Sequence, residues 1–299
     1  MSFTMTVINE LTAREHDKTC CKKAFLCGLF FSAERISGRT VRAELKTEES
    51  AIRAVDILKK QFSAEPEYTT GVRAGRAMHW VSVDSKAISA YIDRLNKGAE
   101  SGSTLSDIVG LRCEECKRAL LAGLFISSGT ATDPERRYQI EFGVRSEAHA
   151  ALLSDFLCST VGAPRCVDRK GRIGLYFKGN YDTSDVLSYI GAYQASYAVI
   201  NAFMLHAIKN EENRATNCVL KNLEKSVLAS RKQIEAIELL KASGRFELLS
   251  EDLKYTARLR CEYDSATLAE LAALHEPSIS KSGLNKRLER ILALANENE

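Results

Sequence analysis

The chain has 299 residues, length enough for two compact domains, and its 45% hydrophobic and 27% charged content is an ordinary globular balance. No stretch approaches the roughly 18 unbroken apolar residues of a membrane-spanning helix, and Met1-Ser2-Phe3-Thr4-Met5 lacks the basic-then-apolar pattern of a secretory leader, so a cytoplasmic protein without a membrane partner is expected. A net charge of +3 does not by itself identify a nucleic-acid partner, and nine cysteines, with Cys20 and Cys21 adjacent and Cys27, Cys158, Cys218 and Cys261 in apolar helical patterns, fit buried reduced thiols better than a disulfide framework.

The first strong feature in chain order is Cys21-Lys22-Lys23-Ala24-Phe25-Leu26-Cys27-Gly28-Leu29-Phe30-Phe31-Ser32, which recurs 95 residues later as Cys116-Lys117-Arg118-Ala119-Leu120-Leu121-Ala122-Gly123-Leu124-Phe125-Ile126-Ser127. Each copy is followed by a short alternating strand (41–45; 138–142) and a helix (50–62; 147–161). Two strands come next: 68–74 and 78–83, turning near Gly75, in the first copy, and 164–168 and 172–178, turning at Lys170-Gly171, in the second. A helix carrying Tyr91-Ile92 or Tyr189-Ile190 closes each copy. The unit reads α-β-α-β-β-α twice, over about 18–97 and 111–207, and residues 98–110 have the composition of a flexible connection.

A glycine inside a helix costs about 1 kcal/mol relative to alanine. Gly28 and Gly123, in equivalent places, therefore predict close backbone approach, as when two copies of one helix meet at a pseudo-two-fold axis. Cys27, Ser32, Ala33, Ala122, Ser127 and Ser128 are small enough to allow it, while Leu26, Leu29, Leu121 and Leu124 would enter the core of each half. The alternative is a buried helix in each repeat with no mutual contact.

The segments Leu26-Cys27-Gly28-Leu29-Phe30-Phe31-Ser32-Ala33-Glu34 and Leu121-Ala122-Gly123-Leu124-Phe125-Ile126-Ser127-Ser128-Gly129 resemble the LAGLIDADG motif of homing endonucleases, more closely in the second copy. The resemblance implies an interface helix pair in which Gly28, Ala33, Gly123 and Ser128 take part. In those nucleases the eighth letter is a metal-binding aspartate, because cleavage needs paired carboxylates to hold divalent ions against the scissile phosphate. Ala33 and Ser128 stand there, and Glu34 and Asp133 fall out of phase, so the resemblance implies the scaffold without the chemistry: no enzyme, no catalytic residues, no metal and no cofactor.

From residue 201 onward the pattern is helical without strands. The polar run 209–217 reads as a linker between a duplicated domain, 1–208, and a domain 218–299. In the latter a helix over 218–240 carries Leu220, Leu223, Val227, Ile234, Ile237 and Leu240 at helical spacing, and further helices are expected at 249–261 and 267–274. After the turn His275-Glu276-Pro277, a second helix anchored by Leu284, Leu288, Ile291 and Ala295 completes a helix-turn-helix. Lys281, Ser282, Asn285 and Lys286 then face outward to read or position on a major groove, with Arg287 and Arg290 near the backbone and Ser280 as N-cap. The competing reading is an ordinary solvated helix face.

Taken together, 118–134, 209–218 with Asn213-Arg214 and Asn217-Cys218, and 277–288 with Ile279-Ser280-Lys281-Ser282-Gly283 resemble the WhiA family of bacterial regulators over nearly the whole chain. That implies an α+β fold class, a degenerate LAGLIDADG domain joined to an all-α helix-turn-helix domain. It also implies sequence-specific binding of double-stranded DNA in the nucleoid, regulating cell-division and sporulation genes, with a role in chromosome segregation. The alternative is a nucleoid-associated or partner-recruiting protein whose duplicated domain is an interaction platform for a co-regulator or RNA polymerase. Arg73, Arg76, Arg136, Arg137 and Arg172 could form a second DNA saddle. Cys113-Glu114-Glu115-Cys116 has metal-ligand spacing but no second such pair, and His16, His79, His149, His206 and His275 are isolated.

Overall fold

A computed structural model describes residues 2–73, 75–169 and 172–296. Contacts divide the chain into two units, Met1–His206 and Ala207–Glu299.

In the first unit, α1 (Phe3–Ala13) precedes the repeats, with the Ser2 hydroxyl accepting from the Met5 amide. The first repeat runs α2 (Thr19–Leu29), β1 (Glu34–Ser37), β2 (Thr40–Leu45), α3 (Glu48–Phe62), β3 (Glu67–Arg73), β4 (Arg76–Asp84) and α4 (Lys86–Ser101). A short α5 (Leu105–Val109) leads to the second repeat: α6 (Glu114–Ser128), β5 (Gly129–Ala131), β6 (Gln139–Val144), α7 (Glu147–Cys158), β7 (Arg165–Asp168), β8 (Ile173–Lys178) and α8 (Asn180–Ile190). Each repeat contributes one antiparallel four-stranded sheet, in the orders β1-β2-β4-β3 and β5-β6-β8-β7. Alternation decides which face is covered: Val41, Ala43 and Leu45 of β2 and Ile140, Phe142 and Val144 of β6 are buried with α2, α3, α6 and α7, and the residues between them point away from the core. Thr47 and Ser146 cap α3 and α7 by accepting from the amides three residues on.

The structure differs from the sequence expectation in several places. Each repeat is α-β-β-α-β-β-α, because β1 and β5 are strands: Glu34–Ser37 is exposed along its length, so no apolar alternation marks it, and only its pairing with β2 makes it a strand. The expected flexible connection 98–110 is ordered, since α4 continues to Ser101, Gly102 closes it at φ 67°, and a capping box between Thr104 and Asp107 starts α5. The expected linker 209–217 lies inside α9 (Tyr193–Ala242), a continuous helix of 50 residues. Its polar run contains neither glycine nor proline, and polarity without a breaker does not end a helix. Finally, of the four cysteines expected to be buried, Cys27 is, Cys261 is half-buried, and Cys158 and Cys218 are exposed. The turn expected at Lys170-Gly171 lies outside the described residues.

The second unit holds the end of α9, a 3₁₀ turn (Arg245–Leu248), α10 (Glu251–Glu262), α11 (Leu268–Ala273) and α12 (Lys281–Asn296) around a core that includes Ile237, Leu240, Ala257, Leu271, Leu284 and Ile291. Leu220, Leu223 and Val227, read from the sequence as a packing face, are exposed. Arg260 is buried at the end of α10, where its guanidinium donates to the Ala266 carbonyl at 2.8 Å and reaches the Ser230 hydroxyl at 3.4 Å, fixing the entry to α11.

Candidate nucleic-acid interface

The helix-turn-helix is built from α11 and α12. A capping box between Thr267 and Glu270 starts α11, and Leu271 and Ala272 bury its inner side. The chain then turns through 274–280, with a cis Glu276-Pro277 bond, and the Ile279 amide donates back to the Ala272 carbonyl at 3.2 Å. His275 is buried in that turn and packs edge-on against Tyr255 at 5.1 Å. Burial, then the nearby Arg287 charge, holds its imidazole below the usual histidine range. The Ser280 hydroxyl accepts from the Gly283 amide at 3.0 Å, capping α12. That leaves the amides of Lys281 and Ser282 without an intrahelical acceptor, at the positive end of the helix.

Leu284, Leu288 and Ile291 seat α12 on the core. On the other side Lys281, Ser282, Lys286 and Arg290 are exposed, and among the described residues no carboxylate lies within ion-pair distance of Lys281, Lys286 or Arg290. Asn285 is half-buried, its amide nitrogen donating to Glu289 at 2.7 Å, so in the free protein it is already oriented along the outer face. Arg287 sits on the flank, where its guanidinium pairs with Asp252 of α10 at 3.2 Å and is committed within the domain.

In the first unit, α2 and α6 pack directly on each other. A Cβ on Gly28 would overlap the Leu120 carbonyl and stand 2.7 Å from the Leu124 nitrogen, and one on Gly123 would overlap the Phe25 carbonyl. The pair is unequal: α2 ends at Leu29, leaving Ala33 in the following turn, whereas α6 continues through Ser128, whose buried hydroxyl donates to the Leu124 carbonyl at 3.1 Å. Beside these ends lies a cleft of about 740 Å³ lined by Ser32, Glu34, Glu44, Ser128, Arg145 and Arg172, among others. Glu34 is ion-paired with Arg145, and Glu44 with Arg73 at 3.4 Å, so each carboxylate there has an arginine partner.

The arginines read as a possible saddle are brought together only in part. Arg73, exposed on β3, and Arg172, beside β8, both line the cleft, while Arg136 and Arg137 lie on an exposed turn and the Arg76 side chain falls outside those described. Arg145, Arg165, Arg169 and Lys178, which the sequence does not single out, lie on or beside the outward face of the second sheet together with Arg172; Arg145 is paired with Glu34 and Arg169 with Glu141 at 3.0 Å. Strand alternation is the signal that would have placed them together.

At the opposite end of α2 and α6, Cys20, Cys21, Cys113 and Cys116 converge, with all four sulfurs within 4.8 Å of one another. The sequence reading denied Cys113 and Cys116 a partner pair, and the fold brings Cys20 and Cys21 to them. Hydrogen bonds from the Cys116 thiol and backbone amide bring Cys113 down to about 7, whereas burial raises Cys116 and Cys21. The five histidines stay apart: for example, His79 bonds Tyr68 and His206 bonds Tyr138, each at 2.8 Å. Among the described residues no helix is long and apolar enough to cross a membrane.

Residues 213–295 match the family model of the WhiA C-terminal HTH domain, and residues 117–209 that of the WhiA LAGLIDADG-like domain. The chain is 30% identical over 311 residues to a probable cell division protein WhiA of Alkaliphilus metalliredigens, with 99% of this chain and 98% of that one covered. It is 31% identical over 313 residues to the protein of the same name from Alkaliphilus oremlandii, with 99% and 97% covered. The crystal structure of full-length DUF199/WhiA from Thermotoga maritima shares its fold, with a TM-score of 0.62 at 20% identity over 99% of this chain and 98% of that one. An α+β architecture of a duplicated LAGLIDADG-like domain followed by a helix-turn-helix domain, matched by relatives along nearly its whole length, means that this chain belongs to the WhiA family.

Proposed function

We propose that the protein binds double-stranded DNA at specific sites through α12 and thereby regulates transcription of cell-division genes, without cutting DNA. The observation that carries this reading is the outer face of α12, where Lys281, Lys286 and Arg290 are exposed with no carboxylate partner among the described residues, on a helix locked to the core by Leu284, Leu288 and Ile291. A fixed helix with unpaired cations and free N-terminal amides is suited to enter a major groove and meet phosphates at its rim. Asn285 is the base reader of the set, exchanging its Glu289 bond for an adenine edge. Arg287 acts inside the domain, tying α12 to α10 through Asp252. The names of the relatives, probable cell division proteins, support the choice of target genes.

Ala33 and Ser128 at the eighth motif positions, with Glu34 and Glu44 each paired to an arginine, support a LAGLIDADG scaffold that binds without hydrolysing. Arg165, Arg172 and Lys178, exposed on or beside the outward face of the second sheet with no ion-pair partner among the described residues, favour a second, sequence-independent DNA contact by the first unit. The test is titration of Lys286→Ala and Asn285→Ala proteins against duplex DNA. Lys286→Ala should weaken binding to all sequences alike and lower the salt slope by about 1, while Asn285→Ala should cost about 1–3 kcal/mol on the preferred site only. Unchanged affinity in both variants, or cleavage of bound DNA by the parent protein with Mg²⁺ or Mn²⁺, would overturn the proposal.

A further inference from the structure

The four cysteines at the start of the interface helices are used by nothing in the proposed DNA-binding function. Cys20 and Cys21 stand in the first turn of α2, Cys113 is the N-cap of α6, and Cys116 lies in its first turn. Close contact of α2 with α6 at Gly28 and Gly123 draws these first turns together as well. The sulfurs are 3.4 Å apart for Cys113 and Cys116, 3.7 Å for Cys21 and Cys113, 3.8 Å for Cys21 and Cys116, and 4.0 Å for Cys20 and Cys21. Four thiolates at about 2.3 Å from one central ion form a tetrahedron with edges of about 3.8 Å. These four of the six separations lie close to that edge, the two from Cys20 to Cys113 and to Cys116 are within 4.8 Å, and the first four are far beyond the roughly 2.05 Å of a disulfide.

We propose that Cys20, Cys21, Cys113 and Cys116 form a tetrathiolate site for a single zinc-class divalent cation, which clamps the two repeats together across their pseudo-two-fold axis. Three features of the surroundings suit such an ion. The two helix N-termini direct their positive ends at the sulfurs and offset the charge of a tetrathiolate. The neighbouring carboxylates are engaged elsewhere, Glu114 with Lys117 and Tyr189 and Glu115 with Arg14 and Arg118, so sulfur is the ligand on offer. Cys21 and Cys116 are buried while Cys20 and Cys113 are half-buried, giving an ion a way in from one side. Binding replaces the protons the four thiols still carry, which pass to solvent, with one divalent ion, so affinity rises with pH. Four protein ligands leave no open coordination position, which makes the site structural rather than catalytic. It lies at the opposite end of the helices from Ala33 and Ser128 and is not the nuclease metal position.

The test uses the full chain, purified under reducing conditions and exposed to zinc, then desalted for elemental analysis, with a parallel sample loaded with Co²⁺. The expected result is one zinc per chain and cobalt absorption of tetrahedral tetrathiolate type. Cys113→Ser together with Cys116→Ser should lower zinc affinity by more than the roughly 10- to 100-fold that loss of an outer-shell partner costs, whereas Cys158→Ser with Cys166→Ser should leave it unchanged. If the first variant does not fold, the parent protein still decides the matter: chelation should lower its thermal midpoint and added zinc should restore it. Zinc-free protein after this treatment, octahedral cobalt bands, iron with inorganic sulfide in the isolated protein, or a midpoint indifferent to chelation would each overturn the proposal.

Discussion

Replacing Gly28 with alanine adds one methyl group where the structure has no room for it. The new Cβ would overlap the Leu120 carbonyl oxygen and stand 2.7 Å from the Leu124 nitrogen, both backbone atoms of α6 that cannot rotate away. Two effects oppose each other. Alanine is the better helix former by about 1 kcal/mol, whereas forcing a methyl into a packed interface costs about 1–3 kcal/mol and more when backbone must move. With backbone on the obstructing side, the steric cost wins, and a net loss of about 2 kcal/mol is expected. Gly123→Ala, which meets the Phe25 carbonyl, should behave alike. The double variant should lose less than the sum of the two, because the first displacement makes room for the second. Gly283→Ala is the control, since its Cβ meets only the Ser280 hydroxyl at 3.2 Å, and it should be neutral or stabilising by up to about 1 kcal/mol. Urea unfolding of the four variants measures this. Gly28→Ala protein as stable as the parent, or more stable by the helix-propensity gain alone, would refute the close crossing of α2 and α6.

Arg260→Met should lower the stability of the second unit by about 2 kcal/mol, because it leaves the half-buried Ala266 carbonyl and the buried Ser230 hydroxyl without their donor; thermal unfolding followed by circular dichroism measures the loss. His16, packed on Phe25 at 5.0 Å, is held down to about 4, first by burial and then by Arg53 and Arg14. Because its folded value lies below the unfolded one near 6.5, its contribution is complete above that pH and is lost as pH falls toward 4. The loss amounts to about 1–2 kcal/mol after allowing for the partial exposure of the ring, and His16→Leu should flatten that part of the stability curve. Arg287→Ala, which breaks the pair with Asp252, should cost at most about 1 kcal/mol of stability, read from urea unfolding of the full chain.

Legibility in the sequence followed how local each signal was. The duplicated interface helix could be read because its evidence, a glycine amid small and leucine residues, lies within a dozen positions and occurs twice. The last helix, α12, could be read because Leu284, Leu288 and Ile291 keep one face apolar and leave the lysines exposed. Strand β1 could not, since every residue of Glu34–Ser37 is exposed and tertiary pairing alone defines it. The continuity of α9 is not legible from polarity, because the run 209–217 is polar like a linker yet holds no residue that breaks a helix. The cysteine quartet was hidden by imperfect symmetry: Cys21 and Cys116 are equivalent, but Cys20 corresponds to Glu115 and Cys113 to Lys18. The signal was there in combination, because once α2 and α6 are paired at equivalent glycines their first turns must be neighbours. The pairing of Arg287 with Asp252 and of Asn285 with Glu289 was also beyond sequence, since the first partner lies on α10 and the second depends on the rotamer one turn along α12.

The central claim is that α12 reads DNA. Its most direct test is genome-wide occupancy of the tagged protein in the cells that encode it, compared with a variant carrying Lys281→Ala, Asn285→Ala and Lys286→Ala. Discrete peaks that share a short motif and vanish in the variant are the predicted result, whereas diffuse occupancy, or peaks that persist in the variant, would contradict it.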